Sequence, residues 1–360
     1  MKIVDVECLI LDRQFPFVRV YTDEGLVGIG ECFRRLPHVV KAVVDANLKP
    51  VLLNTDPLDT EVRWQDMYRA ASAIDMGGTV YCAIAGLDIA LWDLKGKALG
   101  LPVYQLLGGK FRDKIRMYAS SMRRDLTPVE EARRAVSFVE EGYSGYKLHS
   151  AVPGATDDPA DQTVETVREV RAAVGDDIEI LVDVNGAFST HHALEIGKQL
   201  QDLGVFHFEE PRPHYDLDGL AEVADGLEMP VASGENIFNH WQYRDLITKG
   251  KVDIIQPDVI KTAGFTEFRR IAAMASAFNT PITVHNIQPT VSAVVHLHAC
   301  AAFPNVPYAQ EYNIEPISIR DELPVLKAPL EVKNGYLDVP DGPGLGIELD
   351  DRMVERLTDA

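Results

Sequence analysis

Apolar and polar residues alternate at two different periods along this chain. Over residues 1–31 the alternation is strand-like in three runs, Lys2 to Asp12, Phe15 to Tyr21 and Leu26 to Cys32, and Thr22-Asp-Glu-Gly25 is a hairpin turn signal between the last two. An antiparallel meander is expected there. Residues 38–49, 57–71 and 79–98 carry helical spacing instead, with Asp56-Pro57 as the start signal of the second. Strands followed by helices, without βα alternation, predict a separate α+β unit of about 110 residues.

From Arg116 short apolar runs and amphipathic stretches take turns, which is the pattern of a parallel sheet with helical crossovers. Strands are predicted near 116–121, 145–150, 178–185, 205–211, 230–236, 253–258, 281–286 and 308–313. Helices are predicted around 128–141, 160–174, 190–203, 216–227, 239–249, 265–278 and 289–302. Eight strands with seven helices between them suit an α/β barrel, a modified TIM barrel. The segment 150–162 is the longest loop at a strand C-terminus, where barrel sites are built, and is expected to help select substrate. The tail from Pro316 is rich in turn residues, including Asp341-Gly-Pro-Gly-Leu-Gly346. No strand–helix unit surrounds those glycines, so they read as turns and not as a nucleotide loop. The expected organisation is an α+β domain over 1–115, a barrel over 116–315 and a segment over 316–360 that returns to the first domain.

Onto this pattern falls a regular placement of acids. Asp183 ends the run from Ile178, Glu209 the run from Val205, and Glu235 the run from Pro230, at equal intervals of 26 positions. That interval is about one strand–helix unit of a barrel, so each acid sits at the C-terminal end of its own strand. Three carboxylates delivered to one face resist ionisation unless a cation compensates them, and an all-oxygen set suits a hard ion such as Mg²⁺. Later strand ends add Asp258, His285 and Glu311, at intervals of 23, 27 and 26. An Asp beside a His fixes the imidazole tautomer and raises its pKa, which makes Asp258–His285 a candidate general acid or base. On the second strand Lys147 and His149 lie two apart and share a face.

Composition narrows the functional classes. The chain has 360 residues, 46% hydrophobic and 25% charged, as expected of a soluble globular protein with room for a barrel and a second domain. Its net charge of −20 disfavours nucleic acid and anionic membrane as partners. Cys8, Cys32, Cys82 and Cys300 are scattered, which points to neither a zinc site nor a disulfide scaffold. No apolar run approaches the ~20 residues of a membrane span, and the first residues lack a signal-peptide core, so a cytoplasmic location is expected.

These residues resemble the enolase superfamily, specifically its mandelate racemase subgroup. Ala83-Ile-Ala-Gly-Leu-Asp-Ile-Ala-Leu-Trp-Asp-Leu-Lys-Gly-Lys97 is similar to that family's signature in the helix linking its two domains. Phe208-Glu-Glu-Pro211, Gly234-Glu-Asn236 and Gln256-Pro-Asp258 match its metal and dyad motifs. The resemblance covers essentially the whole chain and implies a (β/α)7β barrel beneath an α+β capping domain made from both termini. It implies Asp183, Glu209 and Glu235 as Mg²⁺ ligands, with Asn185 as a neighbour that supports them or contacts substrate. It also implies the Asp258–His285 pair as one acid/base and Glu311 as a hydrogen-bonding partner of the enediolate. The family's second strand carries Lys-x-Lys, whereas this chain reads Lys147-x-His149. A histidine titrates near neutrality, so base chemistry persists with altered reach, and either Lys147 or His149 is open as the base. The departure argues against a mandelate racemase proper.

The implied first step is removal of the proton α to a carboxylate. Dehydration of an acid sugar, an aldonate or aldarate, to a 2-keto-3-deoxy acid is the leading expectation. Racemisation or epimerisation, lactone cycloisomerisation and, more remotely, a non-catalytic sugar-acid-binding barrel are the alternatives. The loop Cys32-Phe-Arg-Arg-Leu-Pro-His38 is expected to close over substrate, with Arg34, Arg35 and His38 as candidate contacts and Tyr68 to Asp75 as a second contributor. The resemblance further implies a homo-oligomer, an octamer or a dimer.

Overall fold

In the computed structural model, which describes residues 1–71, 73 and 77–358, three antiparallel strands open the chain: β1 (Ile3–Leu11), β2 (Phe15–Thr22) and β3 (Val27–Glu31), in the order β1-β2-β3. Gly25 takes a φ of 81° in the turn between the last two, the left-handed backbone that such a hairpin needs. The helical stretch expected at 38–49 is broken into Pro37–Val43, a π-turn over Val44–Leu48 and Lys49–Leu52. Thr60–Ala71 and the long helix Gly78–Leu99 follow. The long helix is apolar around most of its circumference and buried along nearly its whole length, as a helix packed on all sides must be. Two acids within it act as anchors. Asp88 receives Thr266 through both its amide (3.0 Å) and its hydroxyl (2.6 Å). Asp93 receives Ile29 N (2.9 Å), Leu345 N (2.8 Å) and Lys97 Nζ (2.6 Å). One helix is thereby tied to the first sheet, to the helix Gly264–Ala277 and to the C-terminal turns.

The parallel sheet comprises β4 (Lys114–Ser120), β5 (Gly145–His149), β6 (Glu179–Asp183), β7 (His207–Glu209), β8 (Val231–Ser233), β9 (Ile254–Ile255) and β10 (Gln310–Asn313), ordered β10-β4-β5-β6-β7-β8-β9. Helices alternate with these strands as barrel crossovers require. The run 281–286, expected as a full strand, closes the ring through a single bridge, Ile255 to Ile282. Side chains take the place of the missing ladder: Val284 N donates to Gln310 Oε1 (2.7 Å) and Asn286 N to Glu311 Oε2 (2.8 Å). In the tail, β11 (Tyr336–Asp338) pairs antiparallel with the start of β4, and Thr358 bridges Leu11 in β1. No helix among the described residues is long and apolar enough to cross a membrane.

His298, fully buried in the helix Val291–Ala302, joins distant segments. Its Nε2 meets Leu345 O (3.0 Å) and its Nδ1 accepts from Tyr104 N (3.2 Å), so the neutral ring with its proton on Nε2 satisfies both. Burial lowers its pKa from 6.5 to about 4. A histidine whose folded pKa is depressed binds fewer protons folded than unfolded between those values, so its contribution to stability is full above 6.5 and is lost as pH falls toward 4. The loss reaches about 3 kcal/mol. His298→Gln, whose amide can donate and accept at the same two points, should therefore show a shallower fall in denaturation midpoint between pH 6.5 and pH 4 than the wild type.

Candidate active site

The sheet register brings the acids to one level. His149 pairs with Asp183 and Asp183 with Glu209, with Lys147, Leu181 and His207 one layer below. Beyond each strand end the backbone turns sharply. Asn185 and Glu210 both adopt left-handed φ, 45° and 42°. Asn tolerates that conformation and Glu seldom does, so the strain falls at the site itself. Gly234, at φ 128°, precedes Glu235, and a Cβ there would meet Tyr243 Cε1 at 2.9 Å while Tyr243 Oη holds the Gly234 carbonyl at 2.6 Å. A glycine is needed there to aim Glu235 at the cavity.

Each acid of the triad has a different basic partner. Asp183 meets His149 Nε2 at 2.9 Å and accepts from Asn185 N (2.8 Å) and Asn185 Nδ2 (3.1 Å). Burial pushes its pKa up, but His149 and Lys147 outweigh that and hold it below the usual range. Glu209 holds Lys147 Nζ at 3.0 and 3.1 Å, and Glu235 lies 3.3 Å from His285 Nε2. Ligand oxygens of Asp183, Glu209 and Glu235 all lie within 4.8 Å of one another. This buried all-oxygen set fits a hard divalent cation, the kind of ion that enzymes of the enolase superfamily use.

The second ring nitrogens fix the two histidines. His149 Nδ1 donates to Ser121 O (2.6 Å), which directs Nε2 toward the acids. His285 Nδ1 meets Asp258 Oδ2 at 2.7 Å. Burial works against a charged His285, yet Glu235, the Asp258 hydrogen bond and Glu311 raise its pKa to about 9, so it carries a proton at neutral pH. A divalent ion on Glu235 would weaken one of these contributions and leave the Asp258 bond in place.

Lys147 and Glu311 form the remaining pair, 2.7 Å apart. Burial disfavours the ammonium, but Glu209, Glu311 and Asp183 outweigh it and raise its pKa well above the ordinary value. Glu311 also accepts from Ser120 Oγ (2.7 Å) and Asn286 N (2.8 Å). Although burial raises its pKa, Lys147, the nearby His285 and the Asn286 amide hold the carboxyl well below the usual range. Its carboxylate is set as the counter-ion of Lys147.

Lys147, His149, Asp183, Asn185, Glu235, His285 and Glu311 line a cavity of about 380 Å³, whereas Glu209 and Asp258 are buried and do not form part of its wall. Of the capping-loop candidates only Arg35 reaches it, together with its neighbour Phe33. Arg34 turns away, with its guanidinium over the Phe15 ring at 5.9 Å and its backbone amide on Gln288 Oε1. His38 is exposed on the helix Pro37–Val43 and is absent from the wall. Of the second stretch proposed to contribute, Ser72, Ile74 and Asp75 lie outside the described residues.

The wall also holds Arg124, Glu210, Asn236 and Lys261, which the spacing argument passed over. Arg124 follows β4, its Nη2 on Asn185 Oδ1 and its Nε on Ala151 O (3.0 Å) in the 150–162 loop. Glu210 accepts from Asn236 Nδ2 at 3.1 and 3.0 Å, and burial with three nearby carboxylates pushes its pKa well up. Each of these lies within four residues of a strand end or of an acid already identified, and that proximity was the available signal.

A sequence model described as "Mandelate racemase / muconate lactonizing enzyme, N-terminal domain" matches residues 10–108, and one described as "Enolase C-terminal domain-like" matches residues 128–353. The arabinonate dehydratase of Saccharolobus solfataricus is 34% identical, over 93% of this chain and 88% of its own. The D-xylonate dehydratase of Haloferax volcanii is 33% identical over 98% and 88%, and the D-galactarolactone cycloisomerase of Agrobacterium fabrum 33% over 95% and 91%. A solved mandelate racemase/muconate lactonizing protein from Paracoccus denitrificans, complexed with magnesium, superposes with a TM-score of 0.93 at 31% identity, covering 99% of this chain and 96% of that one.

Proposed function

Because the chain belongs to the mandelate racemase/muconate lactonizing enzyme family of the enolase superfamily, we propose that it is a Mg²⁺-dependent hydro-lyase that dehydrates an acid sugar to a 2-keto-3-deoxy acid. Residues 1–115 and 316–360 cap a barrel of 116–315 in this reading. The observation that carries it is the pair of independently held imidazoles, His149 at the Asp183 end of the triad and His285 at the Glu235 end. Dehydration needs one group to take a proton and another to give one.

Asp183, Glu209 and Glu235 would hold the ion. Bound there, Mg²⁺ would polarise the substrate carboxylate and lower the pKa of the neighbouring C–H. Lys147, fixed as an ammonium, neutralises the other carboxylate oxygen. His149, anchored by Ser121 O, is the group placed to take the α-proton through Nε2, which would be freed from Asp183 Oδ2 when that carboxylate holds the ion. His285, kept charged by Asp258, protonates the departing β-hydroxyl, and water leaves. The enol that results takes a proton at Cβ and becomes the 2-keto acid. The curated relatives named as arabinonate and xylonate dehydratases support aldonates as the first substrates to try.

Incubation with Mg²⁺ and a panel of aldonic and aldaric acids should give a carbonyl product that forms a semicarbazone. A second reading, cycloisomerisation of a sugar-acid lactone, is favoured by the galactarolactone relative. Lactone consumption with no reaction of the open-chain acids would replace the first reading with the second.

A further inference from the structure

Lys261 lies on the turn three residues beyond Asp258, where nothing in the proposed chemistry uses it. Its side chain is 5% exposed and lines the cavity. Among the described residues its ammonium has one hydrogen-bond partner, Asn236 Oδ1 at 3.2 Å, and no carboxylate within ion-pair distance. The Asn236 amide gives its own protons to Glu210 and Glu235 and therefore relays no full charge to the lysine. The Phe33 ring covers a second side of the ammonium, 4.9 Å from its centroid, and lies 6.4 Å from the His285 ring.

An ammonium offers three donors and no acceptor. Asn236 takes one and the face of Phe33 occupies another direction, which leaves a donor for the cavity. A buried cation without a counter-ion is costly, so this arrangement calls for an oxygen acceptor arriving with the ligand. The carboxylate end of a substrate is committed to Lys147 and the triad, on β5 to β8. Lys261 follows β9 and sits beneath a ring from the capping loop.

Taking the sugar-acid reading above as its basis, we propose that Lys261 is a specificity-determining residue that donates a hydrogen bond to an oxygen in the substrate's distal half, beyond the β-carbon. A hydroxyl and a second carboxylate share this acceptor chemistry. Phe33 dries the contact and makes it depend on where the capping loop lies.

The test compares wild type with Lys261→Met on an acid series of decreasing length, from six carbons to glycerate, which has the reacting α-hydrogen and β-hydroxyl and nothing beyond them. For the longest acid the variant should lose about 10- to 100-fold in kcat/KM, mainly through KM, the range expected when a hydrogen bond to a charged group is removed. For the shortest acid that the wild type turns over it should lose little, so the wild type's preference for length collapses. A larger loss on an aldarate than on the aldonate of equal length assigns a carboxylate as the acceptor, and equal losses assign a hydroxyl; both support the proposal. Equal losses on long and short acids, or no loss on either, overturn it. If Lys261→Met does not fold, Lys261→Gln keeps a donor toward Asn236 and is read by the same ratio. A wild type that dehydrates no member of the series overturns the dehydratase reading itself, a result distinct from a length-independent loss in the variant.

Discussion

Removing the divalent cation with a chelator, or replacing Glu235 by Gln, should take keto-acid formation down by about 10³- to 10⁴-fold and leave the protein folded. The size follows from the several kcal/mol of charge stabilisation that a metal ion contributes in such reactions, at tenfold per 1.36 kcal/mol. Retention of the fold follows from this site in particular. Asp183 is paired with His149 at 2.9 Å, Glu209 with Lys147 at 3.0 Å and Glu235 with His285 at 3.3 Å, so the chain carries its own compensation for each acid. Near-UV circular dichroism and the thermal midpoint should change little on chelation, and added Mg²⁺ should restore turnover. A large drop in midpoint with EDTA would mean that these pairs do not balance the triad.

His285→Asn is the second large effect. Elimination should fall by about 10²- to 10⁴-fold, the usual contribution of a positioned acid, because the hydroxyl would have to leave without a proton donor. Removal of the α-proton is assigned to His149 and should survive, visible by NMR as deuterium entering Cα of unreacted substrate in D₂O. His149→Asn should abolish both the exchange and the elimination. If exchange and elimination disappear together in His285→Asn, the division of labour between the two histidines is wrong.

The acids that the structure gathers were legible because a barrel repeats itself. One strand and one helix occupy a nearly constant length, so chemistry at the strand ends recurs at that interval. Asp183, Glu209 and Glu235 stand out at 26-residue steps, and Asp258, His285 and Glu311 continue the series. Residues on the turns past the strand ends follow no period. Glu210 and Asn185 project where they do because the backbone goes left-handed there, and alternation does not encode that turn. Lys261 and Arg124 reach the cavity from irregular segments in the same way. In the capping loop, Arg34 and Arg35 are adjacent and chemically alike, yet one packs over Phe15 and the other reaches the cavity. The run 281–286 has the composition of a strand, but Gln310 and Glu311 take its amides through their side chains, a choice that depends on tertiary contact.

The surroundings of Glu311 were also out of reach for the sequence. A glutamate at a strand end is equally suited to donate as an acid or to serve as a counter-ion. The structure sets it against Lys147 Nζ at 2.7 Å and donors from Ser120 and Asn286, three contacts from three separate parts of the chain.

The central claim is that this site removes an α-proton and expels a β-hydroxyl in one catalytic sequence with separate groups for the two tasks. The measurement that tests it most directly is turnover of an aldonic acid by the Mg²⁺-loaded wild type in D₂O, with NMR of the product and of the remaining substrate. The account predicts a 2-keto-3-deoxy acid carrying solvent deuterium at C3, where the enol takes its proton. Deuterium at C2 of an epimerised acid, with no keto acid formed, would contradict it.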